Sequence, residues 1–181
     1  ESDTPAIDPH RSSLLYMYPG WLIYDSLVRS DPQGKISPEL AESWDISSDG
    51  LAVTIKLRKG IKFQDGTDLN AKALKFNLER LARPTARLSW VVAGVDRIQV
   101  VDDLTVKLHM KSVNSAMINL FSEEAGMMVS PAAVAKYDEK YGLNPVGAGC
   151  FQMDNWSPKN FQKMKRFDGC WNADKTYLDG I

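Results

Sequence analysis

A mixed α/β (α+β-like) domain of antiparallel hairpins with helices on one side is the fold class this sequence predicts, and three observations carry the prediction. Leu51, Val53, Ile55 and Leu57 alternate with Ala52, Thr54, Lys56 and Arg58, the period-2 pattern of a strand with one buried face. Just upstream, Ser48-Asp49-Gly50 supplies a turn, because Gly can take φ > 0 and Asp can bond its own backbone. Glu42–Ile46 should therefore fold back onto Leu51–Leu57. Beyond Phe63, Asp65-Gly66-Thr67 turns the chain towards Asn70, a residue able to cap a helix whose apolar face is Ala71, Leu74, Leu78 and Leu81. Pro84 ends that helix.

The remaining elements follow in chain order. Prolines extend Thr4–His10, and Pro19-Gly20 separates Ser12–Tyr18 from a predicted helix over Trp21–Val28. Ser30-Asp31-Pro32-Gln33-Gly34 is a turn. Val95–Val101 and Leu104–Met110 flank Asp102-Asp103 and predict a second hairpin. Helices are expected over Ser115–Ser122 and Pro131–Tyr141, the latter with Ser130 as cap, Pro131 in its first turn and Gly142 as its stop. After the glycine-rich return Pro145–Gly149, strands Phe151–Trp156 and Phe161–Phe167 flank a turn at Ser157–Asn160.

A chain of 181 residues can bury a core, and its charged and apolar fractions are ordinary for a globular protein. With a net charge of −1 and Lys and Arg scattered among acids, nothing attracts nucleic acid. No apolar run reaches the ~20 residues that cross a bilayer, so no membrane insertion of the chain is expected. No charged n-region, apolar h-region and cleavage site open the sequence at Glu1.

Leu40-Ala41-Glu42-Ser43-Trp44, then Leu57-Arg58-Lys59-Gly60-Ile61-Lys62-Phe63-Gln64-Asp65-Gly66-Thr67, Asn70-Ala71 and Leu78-Glu79-Arg80-Leu81 resemble the signature of the extracellular solute-binding proteins of family 5, which feed peptide and nickel ABC importers. The resemblance extends to Asp8-Pro9-His10, Leu22–Val28, Pro145–Gly149 and Phe167–Trp171, so it spans essentially the whole chain. Ala148, Cys150 and Cys170 depart from the family pattern. It implies a type II periplasmic-binding-protein-like lobe fragment: residues 1–30 at the edge of the main lobe, 31–144 as an inserted small α/β domain, and 145–181 as a return hairpin into the main lobe. The family proteins are longer, so an N-terminal part is implied, from a mature or trimmed chain of a periplasmic protein or an extracytoplasmic lipoprotein. The implied partners are a small peptide or similar solute, such as glutathione or chelated nickel, and a cognate ABC permease. A monomer without a cofactor is expected.

The same resemblance implies where a ligand sits. Tyr16 and Tyr18 lie in the loop that faces the interdomain cleft in the family, Trp90 in a connection that reaches towards it, and Met127 and Met128 in the segment that resembles the one before the family's Ser-Pro helix start. Aromatic residues with a polar tip suit a binding wall, although each could equally pack on a core; Met conforms to varied ligands, but a Met pair at such a place is more often core filler. Arg83, Arg87 and Arg97 could bind a carboxylate, with Arg97 disfavoured because it sits in a hairpin that the family uses structurally. For the cysteines two alternatives stand. If Trp156 pairs with Phe161, Cys150 faces Phe167 and Cys170 lies ~10 Å along, too far for a bridge unless the chain bends. An extracytoplasmic address permits a Cys150–Cys170 disulfide, and two buried free thiols are the other reading.

No catalytic residue and no metal site is predicted. His10 and His109 lack neighbours at nucleophile or ligand spacing and read as turn or surface residues. Gly147-Ala148-Gly149 lacks the Lys-Ser/Thr pair and helix of a phosphate loop and reads as a tight backbone crossing. Two other function classes compete with the receptor. A hydrolase would need two converging acids, of which Asp65 and Asp68 are nearest in sequence. A protein-interaction module would expose Tyr16, Tyr18, Trp21 and Trp90 as one flat patch.

Overall fold

The computed structural model describes residues 6–12, 19–157 and 160–181. At its centre β3 (Ala41–Ile46), β4 (Ala52–Leu57), β5 (Val95–Val100) and β6 (Thr105–Met110) form an antiparallel sheet in the spatial order β3-β4-β6-β5. Both predicted hairpins are present, and β4 and β6 join them with Val53 opposite Leu108 and Ile55 opposite Val106. These inner strands bury alternate residues, whereas β3 and β5 are edges. Gly50 takes φ +70° in the first turn, where Asp49 Oδ1 accepts the Leu51 N–H at 2.9 Å.

On the apolar face of the sheet lies α2 (Ala71–Leu81), which buries Ala71, Leu74, Leu78 and Leu81. Asn70 caps it by accepting the Ala73 N–H at 3.0 Å. A second core gathers Ile7, Ile23, Tyr24, Met127, Val129, Tyr141, Phe151 and Met164. It is roofed by the hairpin of β7 (Phe151–Ser157) and β8 (Phe161–Arg166), and Ile181 exchanges two backbone hydrogen bonds with Met164 on β8.

Three predicted helices are shorter than expected. Instead of Trp21–Val28, only α1 (Gly20–Ile23) is helical, and the chain is extended at Tyr24. Leu27 N–H is taken by Gly126 O at 3.0 Å, and β1 (Val28–Ser30) pairs with β2 (Ile36–Pro38), so tertiary backbone pairing overrides the local pattern. In place of Ser115–Ser122 there is a single turn, α3 (Met117–Leu120), with no side-chain cap. Helix α4 (Pro131–Tyr137) starts as predicted, with Ser130 Oγ accepting the Ala133 N–H at 3.1 Å. It stops at Asp138, whose φ is +45°, and a 3-10 stretch continues to Leu143.

The glycine-rich return is a tight crossing. A Cβ on Gly147 would lie 2.2 Å from the Ile23 carbonyl oxygen, and one on Gly149 would lie 2.7 Å from the Ile23 carbonyl carbon. Gln64 seals the crossing: its amide donates to Ile23 O, Gly149 O and Phe151 O at 2.8–3.0 Å and accepts from Gly147 N–H at 3.0 Å. Cys150 and Cys170 form a disulfide with Cα atoms 5.0 Å apart. Cys150 O does accept the Phe167 N–H, but Cys170 N–H then folds back onto Phe167 O at 3.0 Å. That bend removes the ~10 Å offset a straight strand would have left.

Candidate functional site

Three loops meet beside the two cores: Asp8–Ser12, the connection after α2, and Phe121–Met128. Their anchor is a buried ion pair in which Arg80 donates to Asp8 Oδ1 at 2.9 Å and Oδ2 at 2.6 Å, with side chains 7% and 5% exposed. Burial raises the Asp8 pKa, but the Arg80 guanidinium outweighs it and holds the carboxyl below its usual range. Asp8 O closes a turn by accepting the Arg11 and Ser12 N–H groups, and that turn folds His10 inward. His10 is therefore not a surface residue. Burial first, then Arg80, holds its imidazole at about 4, so it is neutral at neutral pH, and neither ring nitrogen has a partner among the described residues. A cavity of about 70 Å³ beside it also touches Arg11, Arg83 and Thr85.

Arg87 ties these loops together. Its backbone N–H donates to His10 O at 2.9 Å, its Nε donates to Ser12 O at 3.0 Å, and a terminal nitrogen lies 3.7 Å from the Glu124 carboxylate. Glu124 is buried, with one oxygen lacking a hydrogen-bond partner among the described residues. Two residues after Arg87 the chain enters a 3-10 turn, Ser89–Val92. Val91 and Val92 are driven into the first core, which leaves Trp90 58% exposed. Trp21, in α1, is 44% exposed. Trp90 is thus a side chain held outward by its neighbours, and it does not close a core.

Tyr16 and Tyr18 lie outside the described residues. Ser12, pinned by Arg87, leads into their segment. Met127 and Met128 are corrected: both are fully buried, one in each core, because Leu27 N–H binds Gly126 O and Met128 N–H binds Asp25 O. Neither is offered to a ligand. Arg97 is also elsewhere, on edge strand β5, 3.1 Å from His109. His109 stands partly exposed on the outer sheet face as expected.

The two acids of the hydrolase reading do not converge. Asp65 accepts from Thr67 N–H and Oγ1 and from the Ser130 hydroxyl, while Asp68 pairs with Lys62 at 2.7 Å. Among the described residues no group of three or more His, Cys, Asp or Glu is placed to hold a metal. No helix of the described residues is long and apolar enough to cross a membrane. Sequence reasoning named Arg87 but missed its neighbours Asp8, Arg80 and Glu124. Asp8-Pro9-His10 was the visible signal of an inward turn.

Residues 35–181 match the model of the bacterial extracellular solute-binding proteins, family 5 middle region. The chain belongs to this family. A glutathione-binding protein GsiB of Escherichia coli O1:K1 is 42% identical over 160 residues, which is 87% of this chain and 31% of that protein. The substrate-binding domain of an oligopeptide ABC transporter from Bacillus anthracis superposes with TM-score 0.89 at 27% identity, covering 98% of this chain and 38% of that one. AgaA of A. tumefaciens R10, solved with agropinic acid, gives TM-score 0.81 at 34% identity over 88% of this chain and 33% of that one. The fold is thus that of a type II periplasmic binding protein, with mixed helices and antiparallel sheets. The chain spans about a third of the length of the curated relatives it matches. Each of these relatives is a binding protein by name, and the Bacillus anthracis one is the substrate-binding domain of an ABC transporter.

Proposed function

We propose that this chain is the N-terminal part of the substrate-binding protein of an ABC importer. It supplies one wall of an interdomain cleft that captures a small, anionic, peptide-like solute, with glutathione the first candidate. The observation that carries the reading is Trp90 held outward on a loop pinned at Arg87. A large aromatic face gives contact area at little entropic cost, and the terminal nitrogens of Arg87, three residues away, suit a carboxylate. Family membership and the glutathione-binding relative support the chemistry.

Residues 1–30 and 145–181 are assigned to the main lobe and 31–144 to the inserted domain. Strands β3 to β6 and α2 build the first core, whereas the second joins Ile7, Ile23, Phe151 and Met164 to Met127, Val129 and Tyr141, so the two segments share the second core and the assignment rests on the family resemblance. Capture proceeds by closure of a second lobe, which the ligand favours through its greater affinity for the closed state. Delivery is to a cognate permease, from a monomer in the periplasm or held outside the cytoplasm as a lipoprotein. Thermal-shift and calorimetric titration of the full-length protein tests this, with glutathione, di- and oligopeptides and a nickel–histidine complex as probes. Glutathione should raise the melting temperature. Trp90→Ala should weaken binding by about 2 kcal/mol, roughly 30-fold, without lowering the ligand-free melting temperature. No shift with any probe would overturn the proposal.

A further inference from the structure

Glu124 is a buried acid on a closely packed turn. It opens the 3-10 stretch Glu124–Gly126, where Glu124 O accepts the Met127 N–H at 3.2 Å and Gly126 O accepts the Leu27 N–H at 3.0 Å. A Cβ on Gly126 would stand 1.8 Å from Phe121 O, so this backbone lies hard against its neighbour. The Glu124 side chain is 7% exposed and faces Arg87, yet the nearer terminal nitrogen is 3.7 Å from Oε1, beyond a hydrogen bond. That oxygen has no partner among the described residues. A buried carboxylate oxygen without a donor is costly, and a group that supplies one gains binding energy.

Arg87 is fixed at its other end. Its Nε donates to Ser12 O at 3.0 Å and its backbone N–H to His10 O at 2.9 Å, while the side chain is still 33% exposed. Among the described residues its terminal nitrogens make no hydrogen bond, so they are available to a new partner while Nε keeps its own.

We infer that Glu124 and Arg87 together receive an amino-acid end, a free α-ammonium beside its α-carboxylate. This rests on the reading of Arg87 and Trp90 as part of the ligand wall, and it names the ligand group that meets them. The carboxylate takes the terminal nitrogens of Arg87, and the ammonium takes over Arg87's place beside Glu124. One loose ion pair is thereby exchanged for two hydrogen-bonded ones. A solute that brings the carboxylate alone draws Arg87 away and leaves Glu124 buried without a cation, which is the costlier arrangement. The site thus selects solutes whose two charges sit on one carbon. Glutathione qualifies, because its γ-linkage leaves both groups of the glutamyl residue free, whereas a linear α-linked peptide carries its ammonium and its main-chain carboxylate at opposite ends.

The test is calorimetric titration of the full-length protein with glutathione and with N-glutaryl-cysteinylglycine, which is glutathione without its α-amino group. Glutathione should bind at least roughly tenfold tighter, the discrimination expected of a desolvated charge pair. In Glu124→Gln that ratio should fall to about threefold or less, through weaker binding of glutathione. A purely structural role would weaken both solutes alike and leave the ratio unmoved. Equal binding of the two solutes by the parent overturns the inference alone, even if Glu124→Gln fails to fold, and so does a ratio that Glu124→Gln leaves intact. In both cases glutathione still binds and the transport reading stands. A protein that binds an oligopeptide but neither of these solutes also overturns the inference and spares that reading, whereas no binding of any probe overturns both.

Discussion

Replacing Arg80 by Met removes the cation that Asp8 was folded around and leaves its carboxylate buried without a partner. Both side chains are nearly inaccessible and share two hydrogen bonds, at 2.9 and 2.6 Å, so water cannot take the lost place without opening the loop. Breaking one side of such a pair costs about 3–5 kcal/mol, whereas replacing both partners with apolar residues is often near neutral. Arg80→Met should therefore lose about that much in urea unfolding followed by circular dichroism, and Asp8→Leu/Arg80→Met should recover most of it. The pH dependence gives a second reading. In the parent chain Asp8 is depressed, so its contribution is present above the unfolded pKa and is lost as pH falls through the folded one. In Arg80→Met the unpaired carboxyl is raised by burial and can accept a proton, so the deficit should be largest near neutrality and shrink in acid. A loss below about 1 kcal/mol at neutral pH, or a deficit that grows in acid, would refute the assignment of Asp8 and Arg80 as the anchor of the three loops.

Other perturbations probe the remaining supports. Gly147→Ala drives a methyl group into the Ile23 carbonyl and should destabilise by about 3 kcal/mol or more, with faster amide exchange at Gly149, whose N–H binds Ile23 O. Opening the Cys150–Cys170 link, which spans 20 residues, with a reductant or with a Cys150→Ser/Cys170→Ser pair should lower stability by about 3 kcal/mol on a chain-entropy basis. Asn70→Ala should cost α2 about 1 kcal/mol, and Asn70→Asp should retain most of the cap, both measured by urea midpoint.

What was legible in the sequence is what short-range chemistry decides. The alternation from Leu51 to Leu57, the Asp49-Gly50 turn and the Asn70 cap each involve residues within a few positions of one another, and all three are present. Trp21–Val28 was misread because the Pro19-Gly20 break can open a helix but fixes nothing beyond its first turn. The choice was made by Gly126, about a hundred residues away, whose carbonyl takes the Leu27 N–H. Met127 and Met128 failed for a related reason: the same thread past Asp25 and Leu27 that ends α1 buries both side chains. The site residues that went unread, Asp8 with Arg80, are partners separated by 72 positions, and the Trp171 indole N–H reaches Asp25 across 146. No periodicity reports such pairs.

Those same long-range pairs explain why the proposed ligand wall can be stiff although it rests on loops. Apolar packing is non-directional and tolerates sliding, but Gln64 with its four backbone contacts, the glycine crossing and the Asp8–Arg80 fork each accept only one relative placement of the elements they join. Arg87 carries that constraint outward, because it binds the turn that Asp8 closes and lies three residues from Trp90. Movement at Trp90 would thus have to break polar contacts that are partly buried, while motion of a whole second lobe against this surface would break none of them. Ligand capture by closure of lobes fits such a body better than capture by a mobile loop, and a Trp90 side chain that stays ordered without ligand is the corresponding expectation.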